Sequence, residues 1–458
     1  MIPFSARALL FSSAVLFTLP SQSANWTNQG YSVGIDGFNP TERTISANNV
    51  QNLALAWQSN TSDINSVYAM AEDNGTVFVL SQDSSQNFDL VALNGSTGAE
   101  LWKTLTGFPQ GFVGTTGLAA AAGRVFTPCG NNPTNTEEGL CGYSQQTGNA
   151  LWFDNFLAQN VSKIGNIARP TYAGGIVYVG HDMCDNDIPN CDNFYAINAK
   201  TGGIIWGTSP PAFEVDGGYG AASPAVSANG GLMAAPCAYV FDGNVEKSFS
   251  GLCTFSLSNG SGGWQAGEVN TTNGQEGASG VSISGNTVFF QQSYVDLNEN
   301  VLTAFAAPTG NQDWTFDSVF SFHDAVQPTV AKGVVYWPDG NGTLWALKEK
   351  TGATLWSFSD WGTGCSPVNG PNGTESQPQV ADGVVFITTS CSVLGGNFTT
   401  VSALAATNGT LLWQGSAGST LVGGAAPMIV DGTLYAECSP QVCAWTLPSG
   451  HALDPNTR

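Results

Sequence analysis

LVALNGSTGAELW, residues 90–102, decides the fold: a strand-forming apolar run, a Thr-Gly turn, and a second run closed by a tryptophan. The same phrase returns as YSQQTGNALW (143–152), YAINAKTGGIIW (195–206) and FSLSNGSGGW (255–264). It returns again as LTAFAAPTGNQDW (302–314), LWALKEKTGATLW (344–356) and VSALAATNGTLLW (401–413). An eighth copy is split: LYAECSPQVCAWTLPSG (434–450) lies near the C-terminus, and its missing tryptophan segment, NLALAW (52–57), near the N-terminus. Successive tryptophans stand 42 to 58 residues apart, the length of a four-stranded propeller blade.

Ahead of each phrase stands a second hairpin, as in RPTYAGGIVYVG (169–180), AAAAGRVFTPC (119–129), VSISGNTVFFQQ (281–292), PTVAKGVVYWPD (328–339), PQVADGVVFITT (378–389) and PMIVDGTLYAEC (427–438). Valine, isoleucine, tyrosine and phenylalanine suit half-buried strands, and glycine supplies the turn. The expectation is an all-β, eight-bladed β-propeller over residues 25–458, closed by pairing of its N- and C-terminal strands. Closing one blade from both ends leaves no free sheet edge at the seam. The docking tryptophans should fill the space between blades.

Residues 1–24 read as a signal peptide: Arg7, an apolar run from Ala8 to Leu19, then Pro20 and the small residues Ser21, Ser23 and Ala24. That run is too short to span a bilayer. The localisation expected is secreted, or the lumen of the secretory pathway, in a eukaryotic, fungal setting. Ten cysteines fall into near pairs, Cys129 with Cys141, Cys184 with Cys191, Cys237 with Cys253, Cys365 with Cys391 and Cys438 with Cys443, and five local disulfides are expected. Eleven Asn-x-Ser/Thr sequons, at Asn25, Asn60, Asn74, Asn94, Asn160, Asn259, Asn270, Asn341, Asn372, Asn397 and Asn408, point to N-glycosylation.

Twelve Lys and Arg against 34 Asp and Glu give a net charge of -22. Such a surface repels nucleic acid and anionic membranes, so neither is expected as a partner. A small organic molecule is. The sequence is silent on oligomeric state.

The repeat resembles the docking phrase Ala-x-Asp-x-x-Thr-Gly-x-x-x-Trp of the quinoprotein alcohol dehydrogenase-like propellers, over roughly residues 26–450, and NPTERTISANNVQNLALAW (39–57) looks like that family's opening segment. The resemblance implies a possible alcohol or sugar dehydrogenase holding pyrroloquinoline quinone and a metal. The sequence departs from that pattern. It has no vicinal cysteines, no Cys-x-x-Cys-His for haem, and few cations to neutralise a tricarboxylate: Arg43, Lys163, Arg169, and Lys103 or Lys247. Three histidines make a histidine-built zinc site improbable. Asp296-Leu-Asn298-Glu-Asn300 and the acids Asp182, Asp185 and Asp187 read as solvated loops rather than calcium sites. No cofactor and no catalytic metal are therefore expected.

The first turns and the Thr-Gly turns should share one end of the ring, and the long, cysteine-bearing loops the other, where binding sites are built. Candidates at that end come from SFHDAVQP (His323, Asp324, Gln327), NIARP (Arg169), VDGGYGAASP (Asp216, Tyr219), GTESQP (Glu375, Gln377) and SVYAM (Tyr68). Trp337 and Trp361 are off the docking register and are expected in connecting loops, free to face a ligand. The chain also resembles fungal quinoprotein-like propellers of natural-product pathways, including the hetero-Diels–Alderases of tropolonic sesquiterpenoid biosynthesis. That resemblance implies a cofactor-independent cyclase coupling an o-quinone methide to a terpenoid alkene such as humulene. His323 or Asp324 would assist water loss, Arg169 would hold a tropolonate oxygen, and Tyr68, Trp337 and Trp361 would form the apolar wall. The alternatives are the quinone-dependent dehydrogenase and a non-catalytic binding or scaffold propeller.

Overall fold

The computed structural model describes residues 25–449, except 29, 62–63, 109–116, 131–137, 155–166, 181–193, 210–222, 241–247, 267–275, 295–298, 320–326, 340–341, 363–364, 367–376, 394–395, 417–424 and 439–440. Within these residues the chain is all β, and the one helical piece is the 3-10 turn Val50–Asn52. No described helix is long and apolar enough to cross a membrane.

Eight antiparallel sheets make eight blades: one to seven cover 66–105, 119–154, 171–208, 225–266, 276–319, 329–358 and 379–416, and the eighth joins 428–446 to 54–58. Seven sheets have four strands; the seventh blade gains Phe38–Asn39, parallel to Gln379–Ala381, and Cys365–Ser366. In the eighth, Ala54–Gln58 pairs with Gln441–Thr446, so Trp57 completes the C-terminal blade as its split repeat implied.

The repeat works through one contact made again at seven of the eight seams. In the outermost strands the register slips at the residue before the tryptophan, so Trp102 sits opposite Ala92 and Trp152 opposite Gly142. The slip is a β-bulge that turns the indole inward and leaves Leu101 and Leu151 about half exposed on the rim, at 53% and 50%. Each ring then lies under the Thr-Gly turn of the next blade and donates Nε1–H to its carbonyl: Trp57 to Gly95 (3.0 Å), Trp102 to Gln145 (2.8 Å), Trp152 to Ala199 (3.1 Å) and Trp206 to Leu257 (3.0 Å). Trp264, Trp314 and Trp356 do the same to Ala307, Glu349 and Ala406. Only glycine fits over the indole: a Cβ on Gly98, whose φ is +71°, would lie 2.4 Å from the Trp57 ring.

The seventh-to-eighth seam has no Thr-Gly turn to receive Trp413, because the eighth blade takes its outer strand from the N-terminus. There Trp413 meets Trp445 edge to face at 5.9 Å. Glu42, 2% exposed, caps the gap: Oε1 accepts the Thr44 and Ile45 amides (2.5 and 3.0 Å), and Oε2 accepts the Gly432 amide at 2.9 Å.

Three disulfides are present among the described residues: Cys129–Cys141, Cys237–Cys253 and Cys438–Cys443. Each ties the second strand of a blade to the third, and their presence fits an oxidising compartment. Cys184 and Cys191 lie outside the described residues. The ladder sets Cys365 opposite Cys391, and their side chains are likewise outside.

Candidate functional site

Residues 26–39 decide which end of the ring is filled. This segment visits the innermost strands of all eight blades in order. Trp26 exchanges two backbone bonds with Glu72 (both 2.9 Å), Thr27 accepts from Ala120, and the Asn28 side chain clamps the Tyr172 peptide from both sides. Val33, Gly34, Asp36 and Gly37 then accept from Val226, Ile283, Val330 and Val380 at 2.7–2.8 Å, and Asn39 Nδ2 donates to Ile429 O at 2.7 Å. The approach is tight: a Cβ on Gly34 would lie 2.2 Å from the Ile283 carbonyl.

Every one of these contacts falls beside the first turn of a blade. The first turns and Thr-Gly turns do share that end, joined by bonds such as Gly95 N to Gly75 O and Ala199 N to Gly175 O. The segment therefore takes up the channel at the short-turn end, with Ile35 buried within it. The opposite end carries the long loops and the disulfides.

At that loop end, Arg169 and Gln377 each precede a proline that opens an innermost strand, Thr171–Ala173 and Gln379–Ala381. Gln327 stands likewise before Pro328 and is 5% exposed. Burial lowers the Arg169 guanidinium to about 10, so it keeps its charge at neutral pH, although part of its surface reaches solvent. Gln377 Nε2 donates to Ile35 O (2.7 Å) and Pro328 O (3.3 Å), which fixes the amide and leaves Oε1 buried without a donor. Tyr68, 6% exposed, rests on Phe88 and donates to Gln82 Oε1 at 3.0 Å. Burial first, then the Glu437 carboxyl, pushes its hydroxyl up to about 12.

Trp337 departs from expectation. It lies in the strand Val334–Pro338, fully buried, packed edge to face against Phe316 in the seam between blades five and six. The run VVYWP continues the strand through it, so it is a wall behind the site rather than a loop residue facing a ligand. Trp361 does lie in a connection, but it is 4% exposed, packed edge to face against Phe358 and bonded through Nε1 to Gly342 O. His323, Asp324, Asp216, Tyr219 and Glu375 lie outside the described residues, as do Asp182, Asp185, Asp187, Asp296 and Asn298.

One residue escaped the sequence reading. Glu437 is 1% exposed near the loop end of the eighth blade, facing Tyr68 across the seam, with the Val67 amide acting on it. Burial raises its carboxyl well above the usual range. The available signal was an acid inside the apolar strand LYAEC. Other buried polar atoms at the loop end also lack partners: Trp337 Nε1, Asn300 Oδ1 and Gln379 Oε1. Unmet hydrogen-bonding capacity in a folded interior marks where water or a ligand completes the structure.

The sheets, the docking tryptophans and the split blade define a PQQ-repeat propeller. The chain belongs to that family: residues 41–212, 248–374 and 298–457 match the profile of the outer membrane protein assembly factor BamB. BamB from Yersinia pestis is 31% identical over 184 residues, 38% of this chain, and the match spans 42% of that relative's length. The quinohemoprotein alcohol dehydrogenase of Comamonas testosteroni superposes with a TM-score of 0.64 at 15% identity, covering 95% of this chain and 82% of that one. BamB of Moraxella catarrhalis gives 0.54 at 14% identity, covering 88% and 99%. At these identities the two superpositions show the fold.

Among the described residues, few cations stand where they could neutralise a quinone with three carboxylates. Of the described cations, Lys200, Lys348 and Lys350 sit in or beside Thr-Gly turns, and Lys332 and Arg124 at first turns. Arg43 bonds the Glu42 carbonyl at the short-turn end, and Lys103 pairs with Asp89 at 2.9 Å. Arg169 alone remains at the loop end; Lys163 and Lys247 lie outside the described residues. Among the described residues one guanidinium leaves most of such a charge uncompensated. No group of three or more potential metal ligands occurs among the described residues.

Proposed function

We propose that this chain is a secreted, cofactor-independent enzyme of small-molecule biosynthesis. It would join a quinone methide-type electrophile to a terpenoid alkene in a hetero-Diels–Alder reaction at the loop end of the channel. The observation that carries this reading is the asymmetry of the channel: residues 26–39 line the innermost strands beside the first turns, while, among the described residues, Arg169 is the one cation at the other end and buried polar atoms there lack partners. Such a site is suited to a ligand of modest polarity with one developing negative oxygen.

In this reading Arg169 stabilises the oxygen that gains charge as water leaves the precursor, and His323 or Asp324 protonates the departing hydroxyl. Tyr68 holds the alkene against the electrophile, Gln327, Gln377, Tyr219 and Glu375 orient polar groups, and the buried Trp337 and Trp361 support the wall from behind. Bringing two partners together in a reactive geometry is the main work required.

The test is to incubate purified protein with an o-quinone methide precursor and humulene and follow adduct formation by chiral chromatography. A rate and enantiomeric excess above the spontaneous reaction are expected. Racemic product at the background rate would sink the reading. The match to the BamB profile favours a second reading, a binding propeller; an inert protein that captures a polypeptide partner on its loop end would replace the first. Alcohol-dependent dye reduction on adding pyrroloquinoline quinone and calcium would restore the dehydrogenase.

A further inference from the structure

The Thr-Gly turn needs a side-chain acceptor at its threonine. In five blades Oγ1 of Thr97, Thr147, Thr201, Thr309 or Thr351 accepts the amide two residues on, at 3.3–3.4 Å. In blades four and seven the position is Asn259 or Asn408, and Oδ1 takes over the same bond, from the Ser261 and Thr410 amides, at 3.1 Å each. The substitution keeps the cap, uses only Oδ1, and presents Nδ2 from an exposed residue.

The residue two positions on supplies only its backbone amide, so the turn places no demand on its side chain. Where the turn residue is threonine that position holds Ala99, Asn149, Gly203, Asn311 or Ala353. It carries a hydroxyl, Ser261 or Thr410, only where the turn residue is asparagine. Turn geometry explains the asparagine and does not explain its hydroxyl partner.

We propose that Asn259 and Asn408 are N-glycosylated, and that with the turn sequons at Asn74 and Asn94 they clothe the short-turn end in carbohydrate. Asn94 also caps its turn, its Oδ1 accepting the Ser96 and Thr97 amides at 3.1 Å and their hydroxyls at 2.7 and 3.0 Å, while Asn74 is exposed in the first turn of blade one and donates Nδ2 to Asp73 Oδ1 at 2.9 Å. The donor is a lipid diphosphate-linked oligosaccharide. The bond from its anomeric carbon to the diphosphate breaks, a bond from that carbon to Nδ2 forms, and Nδ2 gives up one proton as the diphosphate leaves. Each Oδ1 cap survives the transfer. The end already filled by residues 26–39 is thereby shielded. The inference rests on passage through a secretory lumen and is independent of any reaction at the loop end.

The protein is expressed with its own leader in a eukaryotic host, recovered from medium or secretory lumen, and treated with peptide N-glycosidase in heavy-oxygen water. Mass spectrometry is expected to find Asn259 and Asn408 converted to heavy-labelled aspartate. Ser261→Ala and Thr410→Ala should each abolish the label at their site while keeping asparagine and cap. Asn259→Thr and Asn408→Thr, which restore the turn residue of the other blades, should lose the glycan with the folded yield unchanged. Protein found only in the cytosol, unmodified asparagine at both sites, or a label that survives loss of the hydroxyl would each overturn the proposal.

Discussion

Replacing Glu42 by alanine tests how the ring is closed. Its carboxylate is the acceptor for the Thr44, Ile45 and Gly432 amides, and Ile45 and Gly432 are buried. A buried amide stripped of its acceptor costs about 1–3 kcal/mol, and the half-exposed Thr44 amide recovers part of its loss from water. The expected destabilisation of Glu42→Ala is therefore about 3–6 kcal/mol. Glu42→Gln keeps Oε1 for Thr44 and Ile45 but turns an NH2 toward the Gly432 amide, so about 1–3 kcal/mol is expected. At an unfolding entropy of about 2 cal/mol/K per residue, a chain of this length loses roughly 1 °C in Tm for each kcal/mol. Thermal and urea unfolding measure the loss, and hydrogen exchange locates it: protection should fall first in Ala54–Gln58 and Gln441–Thr446, the two strands of the closure. An alanine variant within about 1 kcal/mol of wild type, or a glutamine variant equally damaged, would refute this account of the seam.

Burial raises Asp36 to about 6 and Glu72 to about 7, and it raises Glu437 as well. The folded state then binds more protons than the unfolded state between pH 4 and 7, so stability should fall as pH rises through that window. Glu72→Gln should flatten the decline by up to about 3 kcal/mol, read from Tm at pH 5 and pH 8; a wild-type Tm that climbs with pH would contradict the burial argument. Among the disulfides, Cys237–Cys253 spans 16 residues and Cys438–Cys443 spans 5, so removal should cost about 3 and about 2 kcal/mol respectively, by urea denaturation. If the loop end is the active site, Arg169→Ala and His323→Ala should each lower turnover by roughly tenfold to a thousandfold while near-UV circular dichroism is unchanged; full activity in both would move the site.

The architecture was legible because one contact carries it. A bulged tryptophan, a small residue opposite and a glycine in the next turn recur from blade to blade, so the sequence prints them at seven of the eight seams. The split copy even reveals the closure through Trp57. Glu42 stayed hidden because it acts once, in the single seam without a Thr-Gly turn, and a unique contact leaves no period to read. The path of residues 26–39 was hidden for the same reason, since six of its eight strand contacts are backbone hydrogen bonds, which need no side-chain pattern. At the loop end, Arg169 and Gln377 were found by standing before strand-opening prolines. Trp337 was misplaced because being off the docking register was taken for being off the strand. Glu437 was overlooked as one acid in an apolar strand, where only tertiary burial makes its carboxyl unusual.

Residues 26–39 meet the blades in the order in which a ribosome delivers them. These residues can wait on the axis while each new blade is laid against them, a thread on which later units are registered. The final stitch, Ala54–Gln58 on Gln441–Thr446, joins segments almost four hundred positions apart and cannot form until the last blade exists. Synthesis would then build an incomplete circle whose unsatisfied rim persists until the last moment, and contacts of such long range fold slowly. Short-chain fragments ending before the eighth blade should accordingly remain open arcs, prone to pairing with one another instead of with themselves.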